Sequence, residues 1–144
     1  MKIEILRENL LSAVGIAARV SNKNLSLPAL GCVLLVVSSD RAVVRATNLD
    51  ISVEANLKAK VFEQGVIAVP AHIFLQTVSV LTDQKLILKT SGASLVILGD
   101  RGTTSITAVD HAEFPKLPYV KEGEGAAVTI PSRDFVATFH SVQF

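Results

Sequence analysis

The sequence has little cysteine and no long apolar run, and both absences limit what it can encode. A single cysteine, Cys32, excludes an internal disulfide and a cysteine-based zinc cluster. No apolar run approaches the roughly 18 residues of a membrane span. The alternating start, Met1-Lys2-Ile3-Glu4-Ile5, also lacks the apolar block of a signal peptide. These absences predict a cytoplasmic protein with no membrane segment.

The sequence also lacks a strong excess of charge of either sign. It carries 14 basic and 13 acidic residues, a net charge of +1. A strongly basic DNA-binding domain is therefore not indicated, and only local clustering of charge would support DNA binding. The 49% apolar and 19% charged residues can fill a core, which excludes wholesale disorder. A length of 144 residues fits one domain, or one domain plus a piece of another.

Motifs of common catalytic and cofactor sites are missing. The sequence has no phosphate-binding loop, no dinucleotide-binding glycine motif, no zinc-protease helix motif and no nucleophile elbow. The three histidines, His72, His111 and His140, lack the spacing of metal ligands. Cys32 lies in an apolar stretch, where cysteine behaves as a small hydrophobic residue. We therefore predict no catalytic residue, no metal site and no cofactor.

Strand and helix patterns alternate along the chain. Residues 2–6 alternate polar and apolar side chains, which predicts a strand. A helical stretch follows from Arg7, with apolar residues at helical spacing. Further strands are predicted at 32–37, 42–46, 51–59, 66–69, 85–89, 94–98 and 103–109, with turn residues between them.

A strand-helix junction recurs at a regular interval. Ile130-Pro131-Ser132-Arg133-Asp134-Phe135 repeats Val69-Pro70-Ala71-His72-Ile73-Phe74 at an offset of 61 residues. A looser match at Leu6-Arg7-Glu8-Asn9-Leu10 lies 64 residues before the second junction. We interpret each proline as the first helical residue, where its missing N–H costs nothing. Each unit is thus predicted to be a strand, a helix and three strands.

Two such units predict one α+β domain over residues 1–120. The paired prolines of Phe114-Pro115-Lys116-Leu117-Pro118 close it in an extended conformation. Residues 121–125 have the composition of a linker. Residues 126–144 begin a third unit and stop within its helix, so we expect a fragment of a longer protein.

The sequence resembles a known family, the bacterial DNA polymerase III beta subunits or replication sliding clamps. Five stretches match their N-terminal domain in order and spacing. They are Met1-Lys2-Ile3-Glu4-Ile5 with Leu10-Leu11, Leu27-Pro28-Ala29-Leu30, Ala46-Thr47-Asn48-Leu49-Asp50-Ile51, Val69-Pro70-Ala71 with Phe74, and Ala112-Glu113-Phe114-Pro115-Lys116-Leu117-Pro118. No single motif is diagnostic, but five in register identify the chain as similar to this family.

The resemblance implies a DNA clamp fold, with two β-α-β-β-β units per domain, helices on the DNA side and antiparallel sheets outside. Family members have three such domains, and two chains close head to tail into a homodimeric ring. The ring encircles double-stranded DNA as a non-catalytic processivity factor, while DNA-directed DNA polymerase activity belongs to the holoenzyme. The implied partners are DNA, a second clamp subunit, and the polymerase III catalytic subunit and clamp loader. The last two dock through domains that this sequence does not contain.

The resemblance also indicates residues that contact DNA. In the family a basic residue in the loop before the Leu-Pro motif does so, and Lys23 is its nearest match here. Arg7 and Arg19 place further charge on the first helix. His72 stands where many relatives have arginine, and a largely neutral histidine attracts phosphate less strongly. Arg133 keeps the charge at the equivalent place in the third unit.

Ring closure in the family uses the last edge strand of the first domain. The matching residues are Arg101, Thr104 and Ile106, with Ile73 on the second helix. Many relatives have an apolar residue where Thr104 stands, which indicates a weaker contact. Ile106 alternates with polar neighbours, so a position in the core stays open for it.

Two other functions stay open at the level of sequence. One is a protein-interaction module that uses its β edges as docking surfaces. The other is an enzyme that uses His72 with Asp50 or Glu54. The enzyme requires these groups to converge in one pocket, which sequence spacing cannot establish.

Overall fold

The computed structural model describes residues 1–21, 27–117 and 128–142. Within them the predicted strand and helix order is confirmed, with one additional strand. The elements are β1 (Lys2–Leu6), α1 (Arg7–Val20), β2 (Cys32–Val37), β3 (Ala42–Thr47), β4 (Ser52–Asn56), β5 (Ala59–Glu63), β6 (Gly65–Pro70), α2 (Ala71–Val80), β7 (Lys85–Ser91), β8 (Ser94–Gly99), β9 (Gly102–Thr107) and α3 (Ser132–Ser141). None of the described helices is long and apolar enough to cross a membrane.

The strands form two antiparallel sheets that exchange strands between the two units. The five-stranded sheet has the order β5-β1-β7-β8-β9, and the four-stranded sheet has the order β4-β3-β2-β6. The first strand of each unit therefore lies beside the hairpin strands of the other unit. This exchange ties the two units into one domain, because neither sheet is complete without both.

The predicted strand at 51–59 is wrong in its extent. The structure divides this stretch into β4, which pairs with β3, and β5, which pairs with β1 in the other sheet. At the bend the backbone N–H of Leu57 donates to the carbonyl of Ala42 at 2.8 Å, and the Leu57 side chain is buried. In the second unit the chain also passes from one sheet to the other. After β9, Val109 forms an isolated antiparallel bridge with Ala68 of β6.

Two helices cover the core between the sheets. α1 buries Leu10, Ala13, Val14 and Ala17, at the helical spacing that the sequence shows. α2 packs against α1 and buries Ala71, Phe74 and Val78. Phe74 is 0% exposed, so its truncation to alanine is expected to cost about 3–5 kcal/mol.

The proline at each strand-helix junction lies one residue earlier than predicted. Pro70 is the last residue of β6 and the N-cap of α2, with a ψ of 119° that is not helical. Pro131 has the same place before α3, with a ψ of 129°. The extended ψ explains the error, since each proline still belongs to the incoming strand or segment.

A second, smaller core lies on the outer face of the four-stranded sheet. Phe114 packs there with Cys32, Leu34 and Ala68. Burial raises the pKa of the Cys32 thiol, which fits the predicted hydrophobic role. Pro118 and the predicted linker at 121–125 lie outside the described residues. The predicted domain bounds at 120 and 126 therefore stay predictions.

The helix predicted for the third unit is confirmed as α3, and its apolar side chains are exposed. Phe135 and Phe139 are 56% and 63% exposed, and their ring centroids lie 6.2 Å apart. Val136 and Val142 are exposed as well. The described residues therefore leave this apolar face of α3 uncovered.

Candidate nucleic-acid interface

The exposed sides of α1 and α2 form one surface, which we call the helix surface. The two helices pack against each other, and their buried residues face the sheets. The side chains left exposed recur every three or four residues, or are adjacent. They are Glu8, Ser12, Ile16 and Arg19 on α1, and His72, Ile73, Gln76, Ser79 and Val80 on α2. The formally charged side chains among them are Glu8 and Arg19.

Arg7 is held by the neighbouring helix rather than projecting freely. Its Nε donates to the carbonyl of Val78 at 3.2 Å, and its Nη2 donates to the carbonyl of Ser79 at 2.9 Å. Carbonyls in the last turn of a helix lack intrahelical partners, and a guanidinium satisfies them well. The residue predicted to contact DNA therefore caps α2 from the first turn of α1.

The other predicted DNA residues are spread along the chain. Arg19 is exposed in the last turn of α1, where a cation complements the carbonyl end of the helix. His72 is exposed at the second position of α2. Arg133 is exposed in the first turn of α3, next to Asp134. Lys23 lies outside the described residues, so its role stays a prediction.

The strand predicted to form the ring edge, β9, lies at an edge of the five-stranded sheet, and its part in a ring stays a prediction. β9 pairs only with β8 among the described strands, and its residues Gly102, Thr103, Ser105 and Thr107 are exposed. Thr104 is half-buried opposite Ile97. Ile73 is 50% exposed on α2. In the turn before β9, Arg101 Nη1 donates to Thr82 Oγ1 at 3.1 Å, so this side chain is anchored next to the end of α2.

Ile106 is the most deeply buried of the residues predicted at the ring edge. It is only 4% exposed and packs in the main core between the sheets. Its side chain points inward, since alternate residues of β9 face the core and the solvent. Of the two positions that the sequence left open, the structure favours the core. Thr104 lies on the same face of β9 but is only half-buried, so it stays in the proposal for the ring edge with Ile73 and Arg101.

The groups of the alternative enzyme do not converge. Glu54 accepts from Arg45 Nε at 2.6 Å and also pairs with Arg41, on the outer face of the four-stranded sheet. Asp50 is exposed in the turn between β3 and β4, and His72 is on the helix surface. Within residues 1–21, 27–117 and 128–142, no group of three or more His, Cys, Asp or Glu could hold a metal ion.

The sequence reasoning missed a buried carboxylate at the end of the helix surface. Asp83 is 8% exposed, and its Oδ1 accepts from the backbone N–H of Asp100 at 3.0 Å. Gly99 leaves room for this carboxylate, because a Cβ there would lie 2.5 Å from Asp83 Oδ2. The sequence signal was the pair Gly99-Asp100 at a hairpin. No local pattern indicates that Asp83, 17 residues before Asp100, is the hydrogen-bond partner.

Known proteins resemble this chain in sequence. The family model for the DNA polymerase III beta subunit, N-terminal domain, matches residues 1–118. The chain is 30% identical over 122 residues to the beta sliding clamp of Chlamydia pneumoniae, covering 84% of this chain and 33% of that protein. It is 26% identical over 147 residues to the beta sliding clamp of Caulobacter vibrioides, covering 100% and 39%.

Solved structures of beta subunits share the fold of this chain. The DNA polymerase III beta subunit of Thermotoga maritima superposes with a TM-score of 0.78 at 26% identity, covering 83% of this chain and 33% of that chain. A putative beta subunit from Eubacterium rectale gives a TM-score of 0.79 at 25% identity, covering 84% and 33%. The chain spans about a third of the length of these relatives. It belongs to the DNA polymerase III beta subunit family, through the N-terminal domain of that family.

Proposed function

We propose that the chain is the first segment of a sliding clamp that encircles double-stranded DNA. The observation that carries the proposal is the family match over residues 1–118. The whole protein would act as a processivity factor in DNA replication, in the cytoplasm. It would be non-catalytic, since the polymerase activity resides in the enzyme that it tethers.

The helix surface supports contact with DNA that is weak and independent of sequence. A clamp has to slide, so it needs attraction to phosphates without hydrogen bonds to bases. Exposed Arg19 supplies such a charge, and the exposed side chains of Ser12 and Gln76 are polar and uncharged. Retention on DNA would then come from closure of the ring, with each segment adding only a few phosphate contacts.

We assign each proposed partner to a different part of the full-length protein. A second subunit would pair head to tail along the β9 edge, with Ile73, Arg101 and Thr104 at the contact. The polymerase III catalytic subunit and the clamp loader would dock through the further domains. Residues 1–120 would form the first domain, 121–125 a linker, and 126–144 the start of the second.

Retention on circular DNA tests the proposal directly. The full-length protein is loaded onto nicked circular DNA, and its release is followed after the circle is cut at one site. An encircling ring should stay on the circle in high salt and leave the linear ends rapidly. A catalytically dead restriction enzyme in place of the active one controls for the addition of protein. Equal release from circular and linear DNA would contradict encirclement.

A further inference from the structure

Most of the lysine charge near the sheets lies on the side away from the helices. In β1 and β7, Ile3, Ile5, Leu86 and Leu88 face the core, so the alternate residues face outward. We call this outward surface the lysine face. Its residues are Lys2, Glu4, Lys60, Phe62, Glu63, Lys85, Ile87 and Lys89. Four lysines thus stand against two glutamates, whereas the helix surface carries Arg19 against Glu8.

Phe62 is the centre of the lysine face. Its side chain is 48% exposed, and the Nζ atoms of Lys60 and Lys2 lie 5.1 Å and 5.6 Å from its ring centroid. The pairing of β5 with β1 shifts by one residue here, because Ile3 is opposite Val61 but Lys2 is opposite Glu63. Phe62 is therefore the extra residue of a β-bulge, a device that re-aims a side chain. The bulge presents an aromatic ring between two ammonium groups.

Protection of a sheet edge does not account for this arrangement. Lysines on edge strands discourage pairing with another chain, and Lys60 on β5 fits that role. Lys2 and Lys89 do not, because β1 and β7 are inner strands of the five-stranded sheet. These two lysines are directly opposite each other in the ladder. Like charges at opposite positions are destabilising. Glu63, opposite Lys2 on β5, offsets part of this cost.

We propose that the lysine face binds an acidic segment of a partner protein. Carboxylates of the segment would neutralise Lys2, Lys60 and Lys89, and an apolar side chain would pack against Phe62. Charge complementarity indicates the acidic partner, and the aromatic ring supplies the kind of anchor found at the centre of protein interfaces. The proposal is independent of encirclement, since the lysine face is opposite the helix surface.

Single-stranded nucleic acid fits the same face less well. Bases bind to such surfaces by stacking on an aromatic ring. Here both ammonium groups already lie over the Phe62 ring, where a base would have to stack. Glu4 also lies between Lys60 and Lys85, 4.0 Å from the latter, and would repel a phosphate backbone crossing the sheet.

Fluorescence anisotropy with defined probes tests the proposal on the full chain. The probe is a short labelled peptide of glutamates around a central leucine, and its matched control has glutamine in place of each glutamate. We expect Lys60→Glu to weaken binding of the acidic peptide about tenfold. Phe62→Ala should weaken it several-fold and should do so at high salt as well. Circular dichroism confirms that each variant is folded.

Lys58→Glu is the matched control variant. Lys58 is two residues from Lys60 but lines a groove with Asn9 and Ser12 of α1, on the helix side. It should bind the peptide as the unaltered chain does. Equal binding by all variants, or equal binding of the glutamine peptide, would overturn the proposal. Tighter binding of a labelled oligothymidylate, lost in Lys60→Glu and Phe62→Ala, would overturn it in favour of nucleic acid.

Discussion

The guanidinium of Arg7 donates to the carbonyl oxygens of Val78 and Ser79, and so joins the first turn of α1 to the last turn of α2. The two residues Arg7 and Val78 are 71 positions apart in the chain. A second link lies beside it, since the backbone N–H of Arg7 donates to the carbonyl of Gln84 at 2.9 Å. Both links connect the two repeated units where the first turn of α1 lies next to the end of α2.

Arg7→Ala should therefore act on stability. Its loss removes charge-assisted hydrogen bonds to helix carbonyls, partly offset because those carbonyls are near solvent. We expect about 1 kcal/mol lower free energy of unfolding. Urea denaturation followed by circular dichroism measures it. The matched control is Arg19→Ala, an exposed arginine on the same helix, which should stay within about 0.5 kcal/mol. Equal midpoints for both variants would show that the cap contributes nothing.

Ile106 distinguishes a core position from an interface position. Because its side chain is 4% exposed, Ile106→Ala should cost about 2–4 kcal/mol, and Ile106→Asp should prevent folding at ordinary temperature. Thermal melting by circular dichroism measures both effects. Ser105→Asp, one residue away on the outward side of β9, should melt near the unaltered chain. A folded Ile106→Asp with an unchanged melting temperature would return this residue to the ring edge.

Gly99 and Asp83 form a close pair that a single methyl group should disrupt. A Cβ at Gly99 would lie 2.5 Å from Asp83 Oδ2 and 2.7 Å from its Cγ. Gly99→Ala must therefore displace a buried carboxylate that holds the turn to β9, at a cost of about 1–3 kcal/mol. Gly102→Ala is the control at the other end of the turn, because its Cβ would meet nothing within 4 Å. Chemical denaturation that gives the two variants the same midpoint would contradict this contact.

The pattern of alternation explains which parts of the fold could be predicted. Ala55, Leu57, Ala59 and Val61 all face the core or pack against it. The period of two thus continues unbroken while the chain leaves one sheet and joins the other. Periodicity reports which face is buried but not which strand supplies the hydrogen bonds. The sequence therefore predicted one strand where the structure has β4 and β5.

The candidate site shows the same limit of local patterns. Arg19 and His72 were predicted to lie on helices, and both are exposed there, because helical spacing separates them from buried neighbours. The engagement of Arg7 with Val78 depends on a contact between distant units, which no local pattern reveals. Ile106 was ambiguous because a core and an interface both select an apolar residue.

Arg19 gives the test of DNA contact that the described structure supports best. It is exposed in the last turn of α1 and has no packing to lose, so Arg19→Ala in the full-length ring should leave the melting temperature within a few degrees. One lost phosphate contact should reduce the slope of log affinity against log salt by about one. Anisotropy on a random duplex across a salt series measures this, and Lys23→Ala is predicted to behave alike. Lys116→Ala, an exposed lysine outside the helix surface, is the control. If the Arg19→Ala isotherm coincides with that of Lys116→Ala at low salt, where electrostatic attraction is least screened, Arg19 does not contact DNA.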